Sequence, residues 1–374
     1  KGDSTRYTKN AGDFMLQSWL VTSEEKISRK KYMGAFLKLL KDDKKGFNYS
    51  NALQKQNLLN HTVFLEETSE FHNEILNPDK INDRTSFGSR SERKTVTKKV
   101  KLVNMTGLKQ FIPIYIALRL VKCSSAQIVN WLDLIEKIYV NGYLVFAYSP
   151  AKFESHLHEA AYKIYQSREV SLDKINKFET ISGHDNNKLN KAYQELEIQI
   201  NKIIGLSGLD YKRVFVDKMS KLEISNNRSA NYLLRRIELY VQGETGEIEL
   251  AEDLSLEHVL PNHYRAHWGK IKFYQNKNFP KAQLLEDNLN GNNVHTHFIN
   301  RLGNHTLLTQ PMNSSIKDSS FKTKKPELIK SKLTITNGST PISVMSFKDW
   351  NAESIEKRQQ ELAKKGFEIW GLNI

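Results

Sequence analysis

Leu256-Glu257-His258-Val259-Leu260-Pro261 reads as a short apolar strand with an acid and a histidine at its heart, closed by a proline. Proline has no backbone N–H to offer a neighbouring strand, so pairing is expected to stop close to Pro261. Adjacent residues of a regular strand face opposite sides. Glu257 and His258 therefore serve one site only if the strand ends or bulges there, and Pro261 makes an ending plausible. Further along come Asn300-Arg301-Leu302-Gly303-Asn304-His305-Thr306-Leu307-Leu308, then Asn313, then Phe321 and Lys324.

These residue types suit phosphodiester hydrolysis. That reaction needs a base to deprotonate water and a cation to stabilise the charge on phosphorus and on the leaving oxygen. Histidine titrates near neutrality and fits the first task. A hard divalent ion takes oxygen ligands, which a carboxylate and an Asn carbonyl supply while water fills the remaining positions. Glu257, His258 and Asn313 are the candidates, with Lys324 expected to hold the phosphate. His258, His263 and His267 also raise zinc, but without cysteines around them that is the weaker reading. His295 and His297 flank one Thr and are expected on one side of a strand, in a hydrogen-bonding or phosphate-contacting role. Trp268, Trp350 and Trp370 are expected in the core.

Upstream of this stretch the texture is helical. Met33, Phe36, Leu37 and Leu40 follow helical spacing. Leu189, Tyr193, Leu196, Ile200 and Ile203 form an apolar stripe that Gly205 stops, read as a core seam. Residues 226–240 make another helix, with Tyr232, Leu233, Ile237 and Tyr240 inward. Residues 108–121 form an apolar, buried helix around Pro113. Between these, residues 84–101 hold seven Lys or Arg against the single acid Glu92. That stretch reads as a loop, either gripping phosphate or simply solvated. Near Gly243 helical periodicity gives way to short apolar pieces and turn residues. The expected division is a helical region over 1–245 and an α+β domain over 246–374.

With 374 residues the chain is long enough for about two domains. A net charge of +14 favours a polyanionic partner, because Lys and Arg displace counterions from phosphates. The lone Cys123 rules out an internal disulfide and fits a reducing cytoplasm. The most apolar run, residues 111–121, is too short to span a bilayer and carries Arg119, so no membrane role is expected. A start at Lys1 rather than Met suggests a processed chain or a piece of a longer protein.

Taken together, the blocks resemble the C-terminal HNH nuclease domain of GmrSD-type, modification-dependent restriction endonucleases. That family shows Glu-His-Ile-Leu-Pro, a Trp soon after, Leu-Gly-Asn-Leu-Thr-Leu-Leu, an Asn nine residues past the Gly-Asn, and Phe-x-x-Lys. Here these are Glu257-His258-Val259-Leu260-Pro261, Trp268, Leu302-Gly303-Asn304-His305-Thr306-Leu307-Leu308, Asn313 and Phe321-x-x-Lys324, with Trp350, Arg358 and Trp370 following. Val259 replaces the usual Ile, and His305 stands where Leu is common.

The resemblance implies a mostly α chain with a C-terminal α+β HNH domain, a ββα-metal finger around one magnesium or manganese ion. In it His258 would activate water, Glu257 and Asn313 would hold the metal, and Asn304 would pin the loop and orient His258. Arg301, Lys317, Lys322 and Lys325 are the expected DNA contacts. The helical part resembles more faintly the linker to an upstream nucleotide-hydrolysing, ParB-like domain. No phosphate-cradling Gly-rich loop is present, so nucleotide hydrolysis is not expected of this chain. The expected activity is nicking or cutting of double-stranded DNA in a bacterial cytoplasm, in defence against modified or phage DNA. A homodimer is expected where both strands are cut. The alternatives are an RNA-cutting HNH nuclease and an inactive DNA-binding or assembly module.

Overall fold

The computed structural model describes residues 3–24, 31–32, 34, 52–85, 87–172, 179–243, 254–278 and 280–374. Met33, Phe36, Leu37 and Leu40 lie outside the described residues, as does the expected boundary near 245. The chain is mostly helical and divides into two compact units. One comprises Lys1–Tyr139 and Tyr148–Gly205; the other comprises Val140–Ala147 and Leu206–Ile374. No described helix is long and apolar enough to cross a membrane.

The first unit contains α1 (Asp3–Thr22), α2 (Ala52–Leu76), α3 (Arg90–Thr106), α4 (Phe111–Leu120), α5 (Ser125–Ile138), α6 (Ala151–Gln166) and α7 (Asn186–Ile204). A hairpin, β1 (Arg168–Leu172) with β2 (Glu179–His184), interrupts the helices. Helix α4 is buried at Phe111 and from Pro113 through Leu120, and Pro113 sits in its first turn, where a missing N–H costs nothing. Along α7 the buried face is Leu189, Ala192, Leu196, Ile200 and Ile204, closed by Gly205 in the left-handed conformation that glycine favours. Tyr193 and Ile203, expected inside, are half-buried beside that face.

The basic stretch 84–101 is not a loop. From Arg90 it is helix α3, opened by a reciprocal cap between Ser89 and Glu92. The Ser89 hydroxyl accepts from Glu92 N, and the Glu92 carboxylate accepts from Ser89 N at 2.7 Å. Several of its cations face protein. Lys99 is buried against Asp133 and Glu136, Lys101 meets Asp79 at 3.0 Å, and Arg93 donates to Gly88 O at 2.7 Å.

The second unit runs α8 (Gly208–Met219), α9 (Asn227–Val241), β3 (Leu254–His258), α10 (Arg265–Trp268), β4 (Asn288–Leu289), β5 (Asn292–Asn293), α11 (Val294–Ile299), β6 (His305–Thr309), α12 (Gln310–Ile316), α13 (Phe321–Leu328), α14 (Thr334–Asn337) and α15 (Ala352–Trp370). Helices α8 and α9 thus pack within this unit. On α9, Tyr232, Leu233 and Ile237 are buried and Asn226 caps the start. Strands β3 and β6 pair antiparallel in unbroken register, Leu254 opposite Thr309 through His258 opposite His305, and α12 follows at once. Two strands and a helix therefore stand together over a core of Val259, Leu260, Trp268, Phe298, Leu308 and Trp350. His295 and His297 lie on α11, not on a strand, because Asn293 caps a helix there by accepting from Thr296 N.

Candidate active site

Strand β3 ends at His258, where its regular pairing with β6 stops. Glu257 is buried and meets Lys324 of α13, which is fully buried. The Lys324 ammonium donates to the Glu257 carboxylate and to His258 O, the latter at 3.0 Å. It therefore braces the end of the strand rather than facing solvent. Burial pushes the Glu257 carboxyl up and the Lys324 ammonium down, and their mutual attraction opposes both shifts.

His258 packs edge-on against His305 across the ladder, ring centroids 4.4 Å apart. Burial, then the nearby positive Lys324 and His295, lowers His258 to about 4, so its imidazole is neutral at physiological pH. His305 is wholly buried, with Nε2 on Ile299 O at 3.1 Å. A carbonyl only accepts, so Nε2 carries the proton and Nδ1 a lone pair. Burial holds this ring well below the usual histidine range.

Asn313 lies on α12, and its Nδ2 donates to Ser255 Oγ at 2.9 Å and Leu256 O at 3.1 Å. Ser255 and Glu257 share one face of β3, so Asn313 is held against the Glu257 face. With the amide nitrogen fixed on the strand, the carbonyl oxygen turns away from it. A carboxylate and an amide oxygen are hard donors and suit a magnesium-like cation that keeps much of its water. Among the described residues, no group of three or more His, Cys, Asp or Glu converges on a common point. His263 and His267 are exposed, apart from any such set.

Asn304 is fully buried and uses its whole amide. Its Oδ1 accepts from Leu260 N at 2.8 Å and Trp350 Nε1 at 3.1 Å; its Nδ2 donates to Leu260 O at 3.0 Å and Ile299 O at 3.1 Å. The chain just past His258 is thereby pinned to the start of β6.

Residues 210–365 match the C-terminal domain of the GmrSD restriction endonucleases. Among curated proteins, none matches the chain. The match spans α8 through most of α15 and contains all four of Glu257, His258, Asn304 and Asn313.

Other side chains of the matched segment were less visible in the sequence. Arg358 of α15 is fully buried and donates to four carbonyls: Ile342 O at 2.8 Å, Gly303 O at 2.7 Å, His305 O at 2.6 Å and Ile335 O at 3.2 Å. It fixes the backbone on both sides of Asn304. Gly303 admits no side chain, since a Cβ there would lie 2.3 Å from Ile355 O. The buried Glu238 carboxylate accepts from Thr334 N at 2.6 Å and Ile335 N at 2.8 Å. Arg301, expected on DNA, donates instead to Gln359 Oε1 at 3.0 Å and Ser220 O at 2.7 Å. Lys325 donates to Lys348 O and lies over the Phe321 ring, whereas Lys317 and Lys322 are exposed. His295, on Pro261 O at 2.9 Å, and His297, on Leu289 O at 2.6 Å, hold the chain between the strands.

Proposed function

We propose that the second unit is a metal-dependent HNH endonuclease that hydrolyses DNA phosphodiester bonds, nicking or cutting duplexes in the restriction of modified or phage DNA. The observation that carries this reading is that β3 ends at His258 inside the GmrSD-matched segment, with Glu257 and a neutral His258 as its last two residues and Asn313 of α12 hydrogen-bonded to the same strand. Neutral His258 takes the proton of the attacking water as its oxygen bonds to phosphorus; the bond from phosphorus to the leaving sugar oxygen breaks, and that oxygen takes a proton from solvent. Glu257 and Asn313 would hold a magnesium or manganese ion, which would supply positive charge against the charge that develops on phosphorus and the leaving oxygen. Lys324 keeps the Glu257 carboxylate aimed from a fixed strand end. Asn304 fixes the peptide that follows His258 and so the direction of its ring.

A domain with one such site cuts one strand at a time, so double-strand breaks call for two copies of the chain. The setting we infer is cytoplasmic, with an upstream ParB-like nucleotide-hydrolysing domain as partner.

Supercoiled-plasmid cleavage tests the reading. Wild type with magnesium or manganese converts plasmid to nicked or linear form, EDTA abolishes conversion, and His258→Ala lowers the rate by about 10²- to 10⁴-fold. A His258→Ala protein that cuts as fast as wild type overturns the assignment. Matched RNA duplexes, cut faster than DNA, would move the substrate to RNA.

A further inference from the structure

We propose that residues 262–278 and 280–285 form the surface that grips the phosphate backbone of duplex DNA beside the site; this rests on the nuclease reading above. The segment carries Arg265, Lys270, Lys272, Lys277 and Lys281 and not one acid. Lys270, Lys272, Lys277 and Lys281 are all exposed, and none makes an ion pair among the described residues. Arg265 alone has a carboxylate partner, Glu286 at 3.2 Å, just past the segment's end.

The segment is folded, not a free arm. Tyr264, Trp268, Phe273 and Leu285 are buried in the domain core. Two anchors tie it to the site's own elements. Trp268 Nε1 donates to Ser319 O at 3.1 Å, on the chain between Asn313 and Lys324. Tyr264 stacks on His295 at 4.2 Å, and that imidazole also holds Pro261 O, three residues past His258. The apolar side chains thus fix the segment against both halves of the site while its lysines stay in solvent.

The stretch downstream of Asn313, more basic to the eye, offers less. Lys324 is buried on Glu257, Lys325 is bound to Lys348 O, Lys330 is paired with Glu327, and Asp318 stands beside Lys317. An acid-free, exposed set of ammonium groups on a folded segment is what a sequence-independent phosphate contact requires, because each one that meets a phosphate releases a counterion.

The test measures binding of a short labelled DNA duplex over a salt series, using the uncut complex of a His258→Ala protein. Replacing Lys270, Lys272, Lys277 and Lys281 together by Gln should make the slope of log K against log salt shallower by about 0.9 per lost contact, about 3.6 for all four. The pair Lys317→Gln with Lys322→Gln should change it by about 1.8 at most. In the His258 background the exposed substitutions should leave the melting temperature unchanged. With His258 restored, the fourfold variant should raise KM and leave kcat at saturating DNA unaltered. An unchanged slope and unchanged KM overturn the surface while leaving the nuclease reading standing. A loss seen with RNA duplexes and not with DNA overturns the DNA assignment. A wild-type protein that neither binds nor cuts any duplex removes the nuclease reading and this surface with it.

Discussion

The two units place their buried charged side chains differently. In the first, buried charges answer one another. Glu74 takes the Arg119 guanidinium through two 3.0 Å bonds and the Tyr115 hydroxyl at 2.8 Å, while Arg119 is flanked by the rings of Phe71 and Phe87. Lys99 does the same with Glu136. In the second, buried polar side chains answer backbone: Arg358 four carbonyls, Asn304 both edges of Leu260, Glu238 the amides of Thr334 and Ile335. The cause is the secondary structure. Long helices satisfy their own N–H and C=O groups, so only side chains need partners. Short strands and turns leave backbone groups inside the core, and side chains from distant helices must satisfy them. Against that pattern Lys324 and Glu257 stand out as a buried ion pair in the second unit. It lies at the end of the strand that carries His258.

The comparison breaks most visibly at Arg358. Arg358→Met keeps the bulk and removes five donors, taking the guanidinium bonds from the buried carbonyls of Gly303, His305 and Ile342 and leaving Ile335 O with only the Thr306 hydroxyl. At roughly 1–3 kcal/mol for each orphaned group, partly recovered by relaxation, the second unit should lose on the order of 4 kcal/mol or more. Urea unfolding followed by tryptophan fluorescence measures it. Loss below about 1 kcal/mol would mean these backbone groups find other partners and the contrast between units is one of appearance.

Lys324 comes next. Lys324→Met strands the Glu257 carboxylate in the interior and should cost about 3–5 kcal/mol, as breaking a buried pair does. Changing both residues, Glu257→Leu with Lys324→Met, should recover most of that stability, because a buried pair is often no better than an apolar one. Cleavage should stay absent in the double variant. A stable and active double variant would show that the pair is framework alone.

How much of this was legible in the sequence depends on the reach of each signal. The β3 motif, the Asn304 loop and the ending of the strand near Pro261 are local, and spacing and residue type marked them. The cap that turns residues 90–106 into a helix was also local: Ser89 and Glu92 stand in capping-box order, overshadowed by the run of Lys and Arg around them. Asn293 capped α11 in the same quiet way, which is why His295 and His297 read as strand residues. The destinations of long cations were not legible. Lys324 meets a residue 67 positions away and Arg301 one 58 positions away. A basic side chain near a phosphodiester-cutting motif looks like a phosphate contact until the fold shows a closer acceptor. The acid-free segment 262–285 carried the reverse signal, a basic surface hidden by the aromatic residues that anchor it.

The smallest effect concerns acid. His258 is lowered to about 4 and His305 lies well below its ordinary value, both chiefly by burial. In the unfolded chain each would titrate near 6.5. Between those limits the unfolded state binds protons that the folded state refuses, so stability falls as pH drops below about 6.5 and continues falling toward about 4 for His258. With EDTA present, so that no cation contributes, the urea midpoint of the second unit should decline over that window with about two protons taken up per molecule from this pair. His305→Leu, which restores an apolar side chain on the β6 side of the ladder, should remove about one of them. A midpoint flat from pH 7 to 5 would mean that both rings stay reachable by solvent protons. The edge-on pair would then be an open feature of the site rather than part of its core.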